Sequence, residues 1–112
     1  MLTAGDIVEL DLGLPQGSEA GLVRPVVVVT ANRILQGGPN VVQVIPLTRT
    51  IRSSGSEVVI EPTQQNGLSV RSAAQCQHVR AVAAGRVGAR LGNLGAVGLR
   101  QLRETLAVIL DL

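Results

Sequence analysis

The sequence lacks two kinds of side chain altogether: it has no aromatic residue and no lysine. Without Phe, Tyr or Trp, a bound base or ring finds no aromatic surface on which to stack. All ten basic residues are arginine, the side chain best suited to bidentate recognition of phosphate. A GC-rich genome explains the missing lysines better than selection for phosphate binding does. Any anion must nevertheless be held by guanidinium, amide, hydroxyl or imidazole groups.

Cysteine and histidine are also scarce, with one of each, Cys76 and His78. One cysteine forms no intramolecular disulfide, and one Cys with one His does not complete a tetrahedral zinc site. A Cys76 nucleophile with His78 as its base is conceivable, since residues i and i+2 of a strand share a face, but a third orienting group is missing. We therefore expect no metal, no disulfide and no cofactor.

Long apolar runs are absent too. No run approaches the roughly 18 residues needed to span a bilayer, and the first ten residues lack the basic and apolar regions of a signal peptide. These features predict a cytoplasmic protein that does not enter a membrane. The chain has 112 residues, of which 46% are hydrophobic and 16% are charged, so we expect a single folded domain spanning residues 1–112.

Short apolar segments broken by glycine and proline predict a chain built mostly of β-strands. Five or six strands are expected, with Pro46 placing the third at an edge or a bulge. Segments 13–23 and 31–40 are predicted to be loops, and the first is long enough to carry function. The strands are predicted at residues 7–12, 26–30, 41–47 and 56–61 and, as one strand or a bent pair, at residues 70–82.

A helix is predicted only near the end of the sequence, where leucine and isoleucine recur with helical spacing from about Ala96 to Leu110. Short strands with a single terminal helix favour a mainly β (α+β) protein. The expected architecture is a small, strongly bent antiparallel barrel capped by that helix.

Four sequence segments occur in an order that resembles the MazF/PemK toxin family over nearly the whole chain. They are GSEAGLVRPVVVV, VIPLT, AAQCQHVRAV and the terminal helix ending in LDL. The family shows G-S-E…R-P before a buried strand, P-x-T at the end of the next strand, A-Q…[IV]-R-x-[IV], and a final amphipathic helix. Relatives usually carry one or two aromatic residues near the first loop, and this chain carries none, so its base recognition differs in detail.

The resemblance implies an SH3-like barrel, a homodimer, and metal-independent cleavage of single-stranded mRNA. It also implies inhibition by an antitoxin whose acidic, disordered C-terminal tail covers the RNA groove. Carried over by motif, Arg24 and Thr48 are the catalytic pair. Ser18 and Glu19 would line the site, and Gln77 and His78 correspond to RNA-contacting positions, although both also fit ordinary polar positions of a strand.

The implied chemistry suits these residue types. Attack of the ribose 2′-OH on the adjacent phosphorus builds negative charge on the phosphoryl oxygens, and a guanidinium offers five donors at full charge to receive it. We assign Arg24 electrostatic stabilisation first and proton transfer second, and Thr48 the orientation of the phosphate. Glu19 would orient Arg24 or accept the 2′-OH proton.

Two other functions remain open from the sequence. A gyrase-poisoning toxin of the CcdB type shares this fold and acts through its terminal helix, without needing Arg24 or Thr48. A small barrel that binds RNA without cutting it is the third possibility. Fold alone does not separate these functions, whereas the chemistry of the site does.

Overall fold

The computed structural model describes residues 1–18 and 21–112. The described part of the chain forms seven strands, two α-helices and two short 3₁₀ turns. The strands are β1 (Asp6–Asp11), β2 (Val23–Val28), β3 (Val41–Thr48), β4 (Glu57–Ile60), β5 (Ser72–Gln75), β6 (Arg80–Ala83) and β7 (Arg90–Asn93). The helices are α1 (Asn32–Leu35) and α2 (Ala96–Leu110), and the 3₁₀ turns are Cys76–His78 and Ala84–Arg86.

The strands form one antiparallel, half-closed barrel, with α2 packed on it. Their order is β4-β5-β3-β2-β1-β7, and β6 also pairs with β3. The predicted mainly β class with a C-terminal helix is therefore confirmed. Neither helix in the described part of the chain is long and apolar enough to cross a membrane.

Strand β3 has three partners, so the prediction that Pro46 marks an edge strand is wrong. Its first half, Val41–Val44, pairs with β6, and its last two residues, Leu47 and Thr48, pair with β5. Pro46 lies between these two stretches and pairs with neither β5 nor β6, so its missing N–H interrupts no pairing on that edge of β3. The alternative prediction of a bulge is not confirmed either, because β3 stays in regular register with β2 through Pro46.

Other boundaries differ from the sequence predictions in instructive ways. The segment 31–40, predicted to be a loop, contains the one-turn helix α1. The segment 70–82 divides into β5, a 3₁₀ turn and β6, as the bent pair anticipated. The strand β7 was missed because its four residues, RLGN, show neither alternation nor an apolar run. Helix α2 has the predicted bounds.

The core fills both faces of the central strands, which explains the run of four valines in and after β2. Ile7, Val27 and Ile45 are opposite one another on one face, and Val8 and Val26 are buried on the other. Helix α2 adds its buried leucines, Leu99 and Leu102, to the same cluster. A strand buried on both faces needs β-branched apolar residues at every position.

The outer edge of β7 is covered by the turn that carries residues 65–67. Asn93 donates its backbone N–H to the Gln65 carbonyl. Gly67 has a φ of +70°, and a Cβ there would collide with the Leu91 carbonyl. A Cβ at Gly92 would collide with the backbone of the turn in the same way. The two glycines allow the close backbone contact that closes this end of the sheet.

Candidate functional site

The site lies where β2 and β3 stop pairing. The last pair of their antiparallel register is Val26 with Pro46. Continuing that register by two residues places Arg24 opposite Thr48, with both side chains on the same face. The β2–β3 ladder ends before this pair, while on the other edge of β3 Thr48 pairs with Ala73 of β5. Two strand ends therefore diverge at the pair of residues that the sequence analysis singled out.

A cavity of about 590 Å³ opens at this divergence, and both Arg24 and Thr48 line it. Its other polar residues include Glu9, Arg49 and Thr50, and the rest of its wall is mostly aliphatic. The volume lies in the range of small-molecule binding sites. The predicted catalytic pair is thus brought together at a cleft whose lining residues also include a second arginine and a second threonine.

The guanidinium of Arg24 is held in place by two hydrogen bonds. Its Nε donates to the Gly21 carbonyl at 3.0 Å, and its Nη1 donates to Gln75 Oε1 at 3.5 Å. Arg24 is half-buried, and it forms no ion pair with a carboxylate among the described residues. The group keeps its charge and several N–H donors for an anionic ligand.

Thr48 is the last residue of β3 and is also half-buried. Its Oγ1 accepts a hydrogen bond from the backbone N–H of Thr50 at 3.1 Å. Because that contact uses a lone pair of the oxygen, the hydroxyl hydrogen remains available to donate. Thr48 can therefore act as a donor next to a guanidinium.

Gln75 was not predicted as a site residue. It is 6% exposed, at the end of β5, where its neighbours along the strand are alanines. Its amide oxygen is the acceptor for Arg24 Nη1. A polar side chain at a buried strand position was the available signal, because such groups are normally hydrogen-bonded to something specific.

Two further arginine contacts, together with that of Arg24, fix the two ends of the loop between β1 and β2. Arg80 Nη1 donates to the Leu12 carbonyl at 3.3 Å, and Arg86 Nη2 donates to the Asp11 carbonyl. Arg24 binds the Gly21 carbonyl at the other end of the loop. These contacts concentrate positive charge at the base of the loop without neutralising it.

Of the remaining predicted residues, Ser18, Gln77 and His78 do not line the cavity. Ser18 is exposed in the loop, and Glu19 lies outside the described residues. Gln77 is exposed and donates from Nε2 to Glu57 Oε2 at 2.9 Å, and His78 is half-buried in the 3₁₀ turn. The structure therefore brings Arg24 and Thr48 together and leaves the other described candidates outside the cavity.

The alternative nucleophile, Cys76, has an unsuitable environment. Cys76 and His78 lie in the 3₁₀ turn rather than in an extended strand, so the expected shared strand face is absent. The thiol is buried, and burial raises its pKa to about 11, with the Glu57 carboxylate adding to the rise. Since a thiolate is the reactive form, the protonated Cys76 is inert at neutral pH.

Comparison with known proteins identifies the class. A model of the family described as PemK-like, MazF-like toxin of type II toxin–antitoxin system matches residues 3–110. Endoribonuclease MazF9 of Mycobacterium tuberculosis is 34% identical, with 100% of this chain and 98% of the relative covered. The chain belongs to the PemK-like, MazF-like family of toxins.

Solved structures agree in fold and length. Mycobacterium tuberculosis toxin MazF-mt6 is 25% identical, with a TM-score of 0.77 over 96% of this chain and 97% of that one. The MazE–MazF crystal structure from Deinococcus radiodurans gives 25% identity and a TM-score of 0.75, over 99% and 97%. The chain is a homologue of the MazF endoribonuclease toxins, and the CcdB-type alternative is not supported.

Proposed function

We propose that this protein is a sequence-specific endoribonuclease that cleaves single-stranded mRNA in the cytoplasm without a metal ion. The observation that carries the proposal is that Arg24 and Thr48 are opposite one another where the β2–β3 register ends and that both residues line one cavity. Family membership supports the same activity. In this proposal the ribose 2′-OH attacks the adjacent phosphorus in line, and the products are a 2′,3′-cyclic phosphate and a 5′-OH end.

Arg24 stabilises the charge that develops on the phosphoryl oxygens. Its contacts with the Gly21 carbonyl and Gln75 hold the guanidinium in advance, so little reorganisation is needed when the charge appears. Thr48 donates its hydroxyl hydrogen to a non-bridging oxygen and orients the phosphate for in-line attack. Glu19, which lies outside the described residues, is retained as the candidate acceptor for the 2′-OH proton.

The cavity wall also supports an RNA substrate. Arg49 and Thr50 follow Thr48 directly and line the same cleft, so further donors extend from the catalytic pair. Ser18 and His78 remain candidates for contacts with flanking nucleotides. With no Phe, Tyr or Trp in the sequence, the bases must be bound by polar contacts, aliphatic surfaces, guanidinium planes or the imidazole of His78.

We expect cleavage to persist in excess EDTA, because protein donors rather than a metal stabilise the transition state. A substrate with deoxyribose at the cut position should not be cleaved at all, because it lacks the nucleophile. Mapping of new 5′ ends on a long RNA, followed by oligonucleotides with one 2′-deoxy substitution, measures both. A magnesium requirement, or equal cleavage of the deoxy substrate, would contradict the proposed mechanism.

The proposed partners are a second copy of the chain and an antitoxin. Apolar side chains at the end of α2, such as Val108 and Leu110, are exposed and suit a twofold contact. The arginines at the base of the β1–β2 loop suit the acidic, disordered C-terminal tail of an antitoxin, which would order on binding. The structural relative from Deinococcus radiodurans is in a MazE–MazF structure.

We expect a homodimer in light scattering, and competitive inhibition of RNA cleavage by the acidic tail peptide of a neighbouring gene product. The inhibition should weaken as salt is raised, because it depends on exposed charges. The same peptide with its carboxylates replaced by amides serves as the control. A fully active monomer, or a peptide that binds without slowing cleavage, would contradict this assembly.

A further inference from the structure

Glu57 carries a buried carboxylate that the proposed chemistry does not use. Its side chain is 1% exposed, and its Oε1 has no hydrogen-bond partner within residues 1–18 and 21–112. A buried carboxylate oxygen without a partner destabilises a folded protein. Stability therefore does not account for a glutamate at this position.

Strand register places Glu57 close to the catalytic residues. Glu57 at the start of β4 is directly opposite Gln75 of β5, and directly opposed residues have side chains on the same face with Cβ atoms about 5 Å apart. Gln75 is the acceptor for Arg24 Nη1. Glu57 is therefore adjacent to Gln75, the residue whose side chain contacts Arg24.

The same carboxylate fixes the orientation of Gln77. Gln77 Nε2 donates to Glu57 Oε2 at 2.9 Å, and Arg52 Nη1 lies 3.8 Å from that oxygen. A carboxylate only accepts hydrogen bonds, whereas a carboxamide has one donating end and one accepting end. The donating end of Gln77 therefore faces Glu57, and the amide oxygen of this exposed residue is directed away from it.

We propose that Gln77, oriented by Glu57, reads one base of the bound RNA. Its free amide oxygen accepts a hydrogen bond from the exocyclic amino group of an adenine, cytosine or guanine near the cleaved phosphate. Glu57 is a positioning residue in this arrangement and does not touch the RNA. The inference rests on the proposed RNA cleavage and adds the chemical feature of the substrate that this part of the site selects.

The experiment uses RNA oligonucleotides that contain the mapped cleavage site. Each base around the cut is replaced in turn by its analogue without the amino group, namely purine, pyrimidin-2-one or hypoxanthine. With the wild-type protein, one position should show a loss of about tenfold in kcat/KM, the effect of one such hydrogen bond. Gln77→Ala should cleave the normal substrate at this lowered rate and show no further loss with the analogue.

Glu57→Gln tests the positioning role. A glutamine at this position can face Gln77 with either end of its amide, so the discrimination against the analogue should fall towards unity, while cleavage of the analogue itself is unchanged. Thermal unfolding checks that the variant is folded. Gln64→Ala, which truncates an exposed glutamine in the turn between β4 and β5, is the matched control and should keep the full discrimination.

Each outcome separates the two proposals. If no amino group affects wild-type cleavage, or if Gln77→Ala keeps the discrimination, base reading by Gln77 is wrong while RNA cleavage stands. If Gln77→Ala abolishes the discrimination and Glu57→Gln retains it, the positioning role of Glu57 is wrong. A folded wild-type protein that cleaves no RNA contradicts the proposed function, and this inference with it.

Discussion

Replacement of Arg24 by alanine should lower RNA cleavage by about 10³-fold or more, which is the usual effect of removing a charged donor from a phosphoryl transition state. The loss should appear in kcat, because the phosphoryl oxygens that the guanidinium contacts reach their full negative charge only in the transition state. Single-turnover cleavage of a short RNA containing the mapped site measures it. The fold should survive, since Arg24 is half-buried at the start of β2 and forms no ion pair with a described residue.

Arg24→Lys distinguishes charge from geometry. Lysine keeps the charge but replaces the planar fork with a single ammonium, so the hydrogen bond from Nε to Gly21 and a bidentate grip on phosphate are both lost. We expect an intermediate rate, well above that of the alanine variant and well below that of the wild type. Arg33→Ala in α1, which removes an exposed arginine outside the cavity, is the control. Wild-type rates in Arg24→Ala would contradict the mechanism.

Leu102→Ala should lower the free energy of unfolding by about 2–5 kcal/mol. Leu102 is fully buried in the main core cluster, and truncation leaves a cavity between α2 and the sheet. A loss of this size is a large part of the total stability of a small domain. Urea denaturation, with the slope and the midpoint both fitted, measures the change.

The matched control lies on the same helix. Val97 is 62% exposed, so Val97→Ala should change the free energy of unfolding by less than about 0.5 kcal/mol. If Leu102→Ala loses less than about 1 kcal/mol while its unfolding slope is unchanged, α2 does not contribute to the core as described.

The parts of the structure that were predictable from the sequence depend on local patterns. Helix α2 has leucines at helical spacing, and its buried residues Leu99 and Leu102 are among them. The positions of Arg24 and Thr48 at strand ends follow from the apolar runs that adjoin them. Apolar runs and periodic apolar patterns can be recognised within a short stretch of sequence. They arise because consecutive turns of a helix, or consecutive residues of a strand, are buried together.

The parts that were missed depend on distant pairing. The contact of Arg24 with Gln75 joins residues 51 positions apart, and no local sequence pattern predicts it. The orientation of Gln77 by Glu57 likewise requires the β4–β5 pairing and the 3₁₀ turn that follows it. Strand β7 pairs with the distant β1, and the turn at Gly67 covers its other edge, whereas its own four residues carry little β-propensity.

The dependence of β3 on partners that come later in the chain has a consequence for synthesis of the toxin. Arg24 and Thr48 leave the ribosome before β5 and β6, which pair with β3 on either side of Pro46. A nascent chain that stops before Ser72 contains Arg24 and Thr48 but lacks Gln75 and the leucines of α2. Native contacts between distant segments form only when both segments have been synthesised, so Arg24 gains its contact with Gln75 only after β5 has been translated.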